Sequence, residues 1–498
     1  MNVNPITRLD YPDPDVIRVE DTYYMVSTTM HFMPGCEILQ SFDLVHWEQV
    51  TYVYETLDHT DAQQLKSGQN IYGQGMWAAS LRYHEGRFCI CFVANDTRKT
   101  YLYTSEKIDG PWKKQLIEGF YHDGSLLFDE DGRNYIVYGN DEIWITELNE
   151  DLTAPKKDGL HRLLVSDHKN PELGYEGSHI QKINGYYYIF LVHSLRDRWM
   201  RTEACFYSDS LEGEFTGGDV LCDDRGYCGQ GVAQGGIVDT PDGKWYAMLF
   251  QDSGAVGRIP ILLPVTWKDH FPFFGQNGHV PEEIEVHSTR PGYIYQPLVG
   301  SDDFCNGLLP RWQFNHDPDP RYYHLDALQG TYTITTREVC TELTQAVNTL
   351  TQRMSYPSCA AEVTVDASAL KEGDVAGLCA LQSCYAAVGI TKHHGKYEVL
   401  MLDKKEDGIL DMTEGTVVES HQMDFRLEAD FCNMKDEARC YYRVNKGDWL
   451  PIGTVHKLYF KLDHFTGCRF GLFCYAAEET GGSACFRDFK YYDVDEIS

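Results

Sequence analysis

The sequence predicts an all-β chain, a five-bladed β-propeller followed by a β-sandwich. Two observations carry this reading. The first is a repeat: V-E-D-T-Y-Y-M-V, H-E-G-R-F-C-I-C, D-G-R-N-Y-I-V-Y, N-G-Y-Y-Y-I-F-L and D-G-K-W-Y-A-M-L each join a tight turn to an aromatic residue and a short apolar run. Successive turns lie 65, 46, 53 and 58 residues apart, room for about four short strands per unit. The second is a change of texture near residue 290. Beyond it, alternating runs such as A-A-E-V-T-V-D, Y-A-A-V-G-I-T and R-F-G-L-F-C-Y-A suit a second, sandwich-like domain. The expected division is 1–297 and 298–498.

Taking the elements in order, each propeller unit places a polar or aromatic residue at a fixed distance before its turn. Nine residues before Gly86, Gly132, Gly185 and Gly243 stand Trp77, Asp123, Glu176 and Gln234. In the first unit Asp21 replaces the glycine, and Asp13 lies eight residues before it. Equivalent positions of blades face one centre, so three carboxylates, a tryptophan and an amide are expected to converge. The segments S-F-D-L-V-H-W and S-E-K-I-D-G-P-W suit outer-strand corners, with their tryptophans as packing anchors. S-T-R-P-G-Y-I-Y-Q-P-L-V-G reads as a linker. Leu343 to Arg353 fits a strand as well as a helix.

With 75 acidic against 43 basic residues, the net charge is −32. Such a surface repels phosphate backbones and anionic membranes, so nucleic-acid and membrane partners are not expected and a neutral ligand such as a sugar is favoured. The N-terminus has no apolar core of signal-peptide length, and the expectation is a cytoplasmic protein. Sixteen cysteines are scattered without a compact framework and read as reduced, mostly buried thiols. Nothing resembles a zinc site, a P-loop or a dinucleotide fingerprint. A homo-oligomer is left open.

Paired carboxylates are the usual machinery for cleaving a glycosidic bond, one giving a proton to the leaving oxygen. Asp13, in Y-P-D-P-D, is held on a stiff segment by flanking prolines; alone it reads more readily as a turn aspartate at a strand entrance, with Asp10 and Asp15 as rivals that the register disfavours. Asp123, in H-D-G-S, and Glu176, in Y-E-G-S-H, are individually unremarkable turn and strand-end residues. In one register they gain weight, and a second carboxylate beside Glu176 would disfavour its ionisation. Trp77 offers a face for a sugar ring, or simple blade packing. Arg258 offers hydrogen bonds to vicinal hydroxyls, or an ion pair. His179 reads as structural, and His393-His394 as exposed.

These motifs, in this order and over essentially the full length, resemble glycoside hydrolase family 43, particularly β-xylosidases with a C-terminal, concanavalin-like sandwich. The resemblance implies Asp13 as the general base, Glu176 as the general acid, and Asp123 as the neighbour that keeps the acid protonated and oriented. It implies inversion, with base and acid roughly 6.5–9.5 Å apart. Trp77, Arg258 and Met30 fall at pocket-lining positions, Met30 where a substrate-contacting Phe is common. In relatives the sandwich leans a loop onto the mouth of the site. Ser178 replaces a usual proline, and Gln234 stands where many members place a histidine near a central calcium. No cofactor is required by this reading, and an amide oxygen still permits calcium. The expected activity is exo-release of β-D-xylose from short xylo-oligosaccharides. The alternatives are an α-L-arabinofuranosidase and a non-catalytic carbohydrate-binding protein.

Overall fold

The computed structural model describes residues 2–493. Five four-stranded antiparallel sheets, spanning 15–54, 76–117, 125–166, 176–221 and 232–274, form propeller blades I to V. A nine-stranded and a seven-stranded sheet form the C-terminal sandwich. Four short 3-10 turns are the only helical elements among the described residues. The ambiguous stretch at 343–353 resolves into one such turn, Leu343–Gln345, and a strand, Leu350–Arg353.

Each blade is built from consecutive strands, as the repeat spacing requires. The innermost strands are Asp15–Val19, Met76–His84, Ser125–Phe128, Glu176–Ile183 and Val232–Asp239. Their alternating side chains fill the clefts between blades. Ile38, Leu81, Ile90 and Tyr101 bury one inter-blade cluster, and Ile145, Ile180, Ile189 and Leu191 another. Trp47 is buried between the third and fourth strands of blade I, and Trp112 packs at the same corner of blade II. Cys89 and Cys91 share an apolar cluster, as their two-residue spacing on one strand requires. All 16 cysteines are unpaired.

The two domains are not beads on a string. Phe32–Met33, from blade I's second connection, pairs with Gln313–Asn315 and becomes the edge of the nine-stranded sheet. Ala255, Val256 and Ile259 of blade V sit in the sandwich core with Leu350, Leu378, Phe425 and Phe470. The linker is strapped to blade I: Arg290 pairs with Asp21, Tyr293 donates to Glu48, and the Gln296 N–H reaches Glu48 at 2.9 Å. These contacts hold the linker against blade I, and the shared sheet edge and core hold the sandwich against the propeller.

Candidate active site

The same end of all five inner strands carries a backbone irregularity. Ladder register shifts fall between Met76 and Ala79, Glu176 and His179, and Ala233 and Gly236. Asp13, Asp123 and Gln234 adopt positive φ values of 52, 48 and 64°, and Gly177 one of 65°. A non-glycine residue in this region is costly, and such sites cluster where a side chain must be aimed. Three blades thus carry a bulge and the other two a positive-φ aspartate at this end, irregularities of the kind that re-aim a side chain.

Asp13, 6% exposed, accepts from Thr28 Oγ1 at 2.5 Å and faces Arg258 Nη1 at 3.2 Å. Asp123 accepts the Gly177 N–H at 3.0 Å, and the charges of both Glu176 and Asp13 act on it. Burial, then those two carboxylates, push its carboxyl up to about 6 against the pull of His122. Glu176 Oε2 accepts from Asn140 Nδ2 at 2.7 Å and faces His122 Nε2 at 3.4 Å. His122 also lies 3.6 Å from Asp123, whose charge, ahead of Glu176's, raises the imidazole to about 9. The site is therefore three carboxylates with an imidazolium between two of them.

Arg258 stands where the register does not reach, at the start of the third strand of blade V, and is 2% exposed. It is covered by the sandwich. Its guanidinium lies 4.1 Å from the Phe465 ring centre and donates to the Phe465 carbonyl at 3.3 Å. Phe465 in turn packs on Trp77 at 5.8 Å, and Trp77 on His122 at 5.8 Å. Three grips hold the Phe465 loop. Tyr72 stacks on His464 at 3.9 Å and 8°. Gly73 approaches so closely that a Cβ would meet Leu462 O at 2.6 Å. Asp10 accepts the N–H of Arg258 at 2.8 Å and that of Gly467 at 2.7 Å. Asp10 thus ties its own segment, which runs on to Asp13, to Arg258 and the sandwich loop, a structural task.

Asp15, the other rival, lies one level deeper, fully buried between Arg82 Nη1 at 2.8 Å and His179 Nδ1 at 3.1 Å. Met30 is 1% exposed and its backbone pairs with Met76, so it backs the pocket and presents almost no surface to it. Gln234 packs its side chain on Gly177 while its N–H binds Glu203 Oε2 at 2.7 Å.

The fit of a central calcium can be judged from the donor set. Asp15, Ser125 Oγ and the carbonyls of Leu81, Leu126 and Ile180 all converge on the Arg82 guanidinium. That arginine already occupies these oxygens, whereas His122, Asp123 and Glu176 bring one ligand atom each within 4.8 Å of one another, a spacing that could hold a metal ion. The far end of the channel opens into a cavity of about 410 Å³ bordered by Arg18, Gln181, Lys182 and Trp245. Its charges are paired, Arg18 with Asp239 and Lys182 with Asp129.

Sequence reasoning missed His122, Asn140 and Phe465. His122 precedes Asp123 directly and was within reach of the register argument. Phe465 follows no register and is brought in only by the domain contact.

Comparison with known proteins agrees with this geometry. Residues 3–272 match Glycosyl hydrolases family 43, and residues 301–492 match the Beta xylosidase C-terminal Concanavalin A-like domain. A β-xylosidase of Formosa agariphila is 26% identical over 99% of this chain and 89% of its own length. A non-reducing end α-L-arabinofuranosidase of Bacteroides ovatus is 24% identical over 82% of this chain and 79% of its own. Among solved structures, a bifunctional GH43-CE protein of Bacteroides eggerthii is 42% identical with a TM-score of 0.93; it matches 100% of this chain, which spans 64% of that protein's length. With more than half the chain covered by the family match and the propeller and sandwich both in place, the protein belongs to glycosyl hydrolases family 43 and is a glycosyl hydrolase.

Proposed function

We propose that this hydrolase releases terminal β-D-xylose from short xylo-oligosaccharides by a single inverting displacement. The observation that carries the reading is the unequal surroundings of the carboxylates. Asp13 is clamped between Arg258 and Thr28, with a fixed orientation suited to taking a proton from water as its oxygen attacks the anomeric carbon. Glu176 lies beside two groups whose proton affinity is raised, Asp123 and His122, with its Oε2 3.4 Å from His122 Nε2, a setting suited to delivering a proton to the departing glycosidic oxygen. Asp123, bound to the Gly177 N–H, orients the acid's strand end. Water attack and proton donation on opposite faces exchange one glycosidic bond for one bond to water and invert the anomeric centre. Phe465 of the sandwich packs between Trp77 and Arg258, a contact that would narrow the site to a pocket and so supports exo action. Relatives carry both β-xylosidase and α-L-arabinofuranosidase names, and paired assays on 4-nitrophenyl β-D-xyloside and α-L-arabinofuranoside decide between the two sugars.

The acid assignment is tested by leaving-group chemistry. Glu176→Ala should lower turnover of xylobiose by about 10²–10⁴-fold, while an aryl xyloside with a strongly acidic phenol, which departs as the anion, keeps much more. Asp13→Ala should lose both substrates alike. Equal losses in Glu176→Ala would remove the glutamate from that role.

A further inference from the structure

The rim of the pocket alternates aromatic rings and guanidinium groups. From Trp77 the series runs to Phe465 at 5.8 Å, Arg258 at 4.1 Å, Phe250 at 5.4 Å, Arg201 at 5.3 Å and Trp199 at 5.2 Å. Within this series Phe250, Arg201 and Arg258 are buried, whereas Trp199 is 43% exposed. An indole left in water costs hydrophobic free energy unless something covers it in use.

Its position in blade IV is fixed by the ladder. Glu176 pairs with Val192, Val192 with Glu203, and Ser194 with Arg201. The loop 195–200 between those strands therefore rises from the same end of the same blade as Glu176. Arg201 behind the indole is itself pinned, its Nε donating to Asp252 at 2.9 Å. The ring is thus backed by a buried, ion-paired cation and needs little ordering on binding.

The direction of the leaving group follows from the acid. A general acid protonates the glycosidic oxygen, so the leaving sugar lies on the acid's side of the scissile bond. Phe465, Arg258 and the loop held by Asp10 and Gly73 close the side formed by blades I, II and V. The loop that carries Trp199 belongs to blade IV, the blade of Glu176, and is not part of that closure.

We infer that Trp199 is the stacking platform for the leaving sugar, a pyranose ring of the oligosaccharide, and so determines specificity for what is cleaved off. This rests on Glu176 being the acid. The competing account is that the indole only shields the Arg201–Asp252 pair.

The test compares xylobiose, whose leaving group is a sugar, with β-xylosyl fluoride, whose leaving group has no ring. Trp199→Ala should reduce kcat/KM for xylobiose about tenfold more than for the fluoride, mainly through KM. Trp199→Phe, which keeps a ring, should recover most of the difference. Using both substrates on one preparation cancels any loss of folded protein. Equal losses on the two substrates, or no loss on either, would overturn the platform. A wild-type enzyme that cleaves neither the fluoride nor xylobiose would overturn the xylosidase reading and the platform with it. A wild-type enzyme active on both, with an unchanged ratio in Trp199→Ala, would overturn the platform alone.

Discussion

Asp15 and Asp123 are both buried carboxylates on the inner channel of one propeller, and their surroundings drive them in opposite directions. Burial alone would raise both. At Asp15 that effect is outweighed by the Arg82 guanidinium, the His179 imidazole and the Leu81 N–H, and the carboxyl is held below its usual range. At Asp123 burial prevails: one imidazole is opposed by two further carboxylates, and the group rises to about 6. The deeper region uses its carboxylate to hold blades I, II and IV together. The upper region leaves its carboxylate only partly compensated, where protons must move. Burial is common to both; the count of opposing charges separates structure from chemistry.

The largest effect should come from removing the compensated charge. Asp15→Asn leaves Arg82 and His179 buried without their anion, and breaking such a pair costs about 3–5 kcal/mol. Denaturant unfolding should show it, and a loss below about 1 kcal/mol would contradict the structural role. The sign with pH is definite. Because the folded value is depressed, Asp15 stabilises above its unfolded value, and this contribution disappears as pH falls through the folded one.

The upper region should behave in the reverse sense. Asp123 is raised to about 6 and His122 to about 9, so the folded state binds more protons than the unfolded one across both windows. Asp123's contribution declines as pH rises from about 4 to 6. His122's is complete below about 6.5 and is lost as pH climbs through 9. Relative to a His122→Asn/Asp123→Asn double variant, wild-type stability should therefore fall by about 2 kcal/mol between pH 5 and 9, roughly half of what two independent groups would give. A difference that stays flat with pH would break the contrast with Asp15.

A smaller effect should sharpen it. Asp10 is satisfied by two backbone N–H groups from different domains, and Asp10→Asn retains one acceptor oxygen. The expected cost is about 1–2 kcal/mol, with KM rising more than kcat falls as the Phe465 loop loosens. Steady-state kinetics beside thermal unfolding separates this from general destabilisation, which lowers active concentration without moving KM.

Much of this molecule was legible because short-range rules govern it. Blade count follows from turns at regular spacing, and the convergence of Asp13, Asp123 and Glu176 follows from equivalent positions in repeated units. Cys89 and Cys91 share a face because strands alternate. The carboxylates' residue types, turn context and register are all local facts, and the sequence by itself determined them. Only the tertiary structure decided what neutralises which charge. Arg82, His179 and Asp15 come from three blades, and Phe465 reaches Trp77 and Arg258 across more than 200 residues. Met30 occupies a pocket position in the sequence, yet its bridge to Met76 turns it into backing. Such pairings depend on how blades and sandwich dock, and their energies fall off over a few ångströms. A pattern in one strand can place a carboxylate at the channel, but only the packed neighbours set its charge.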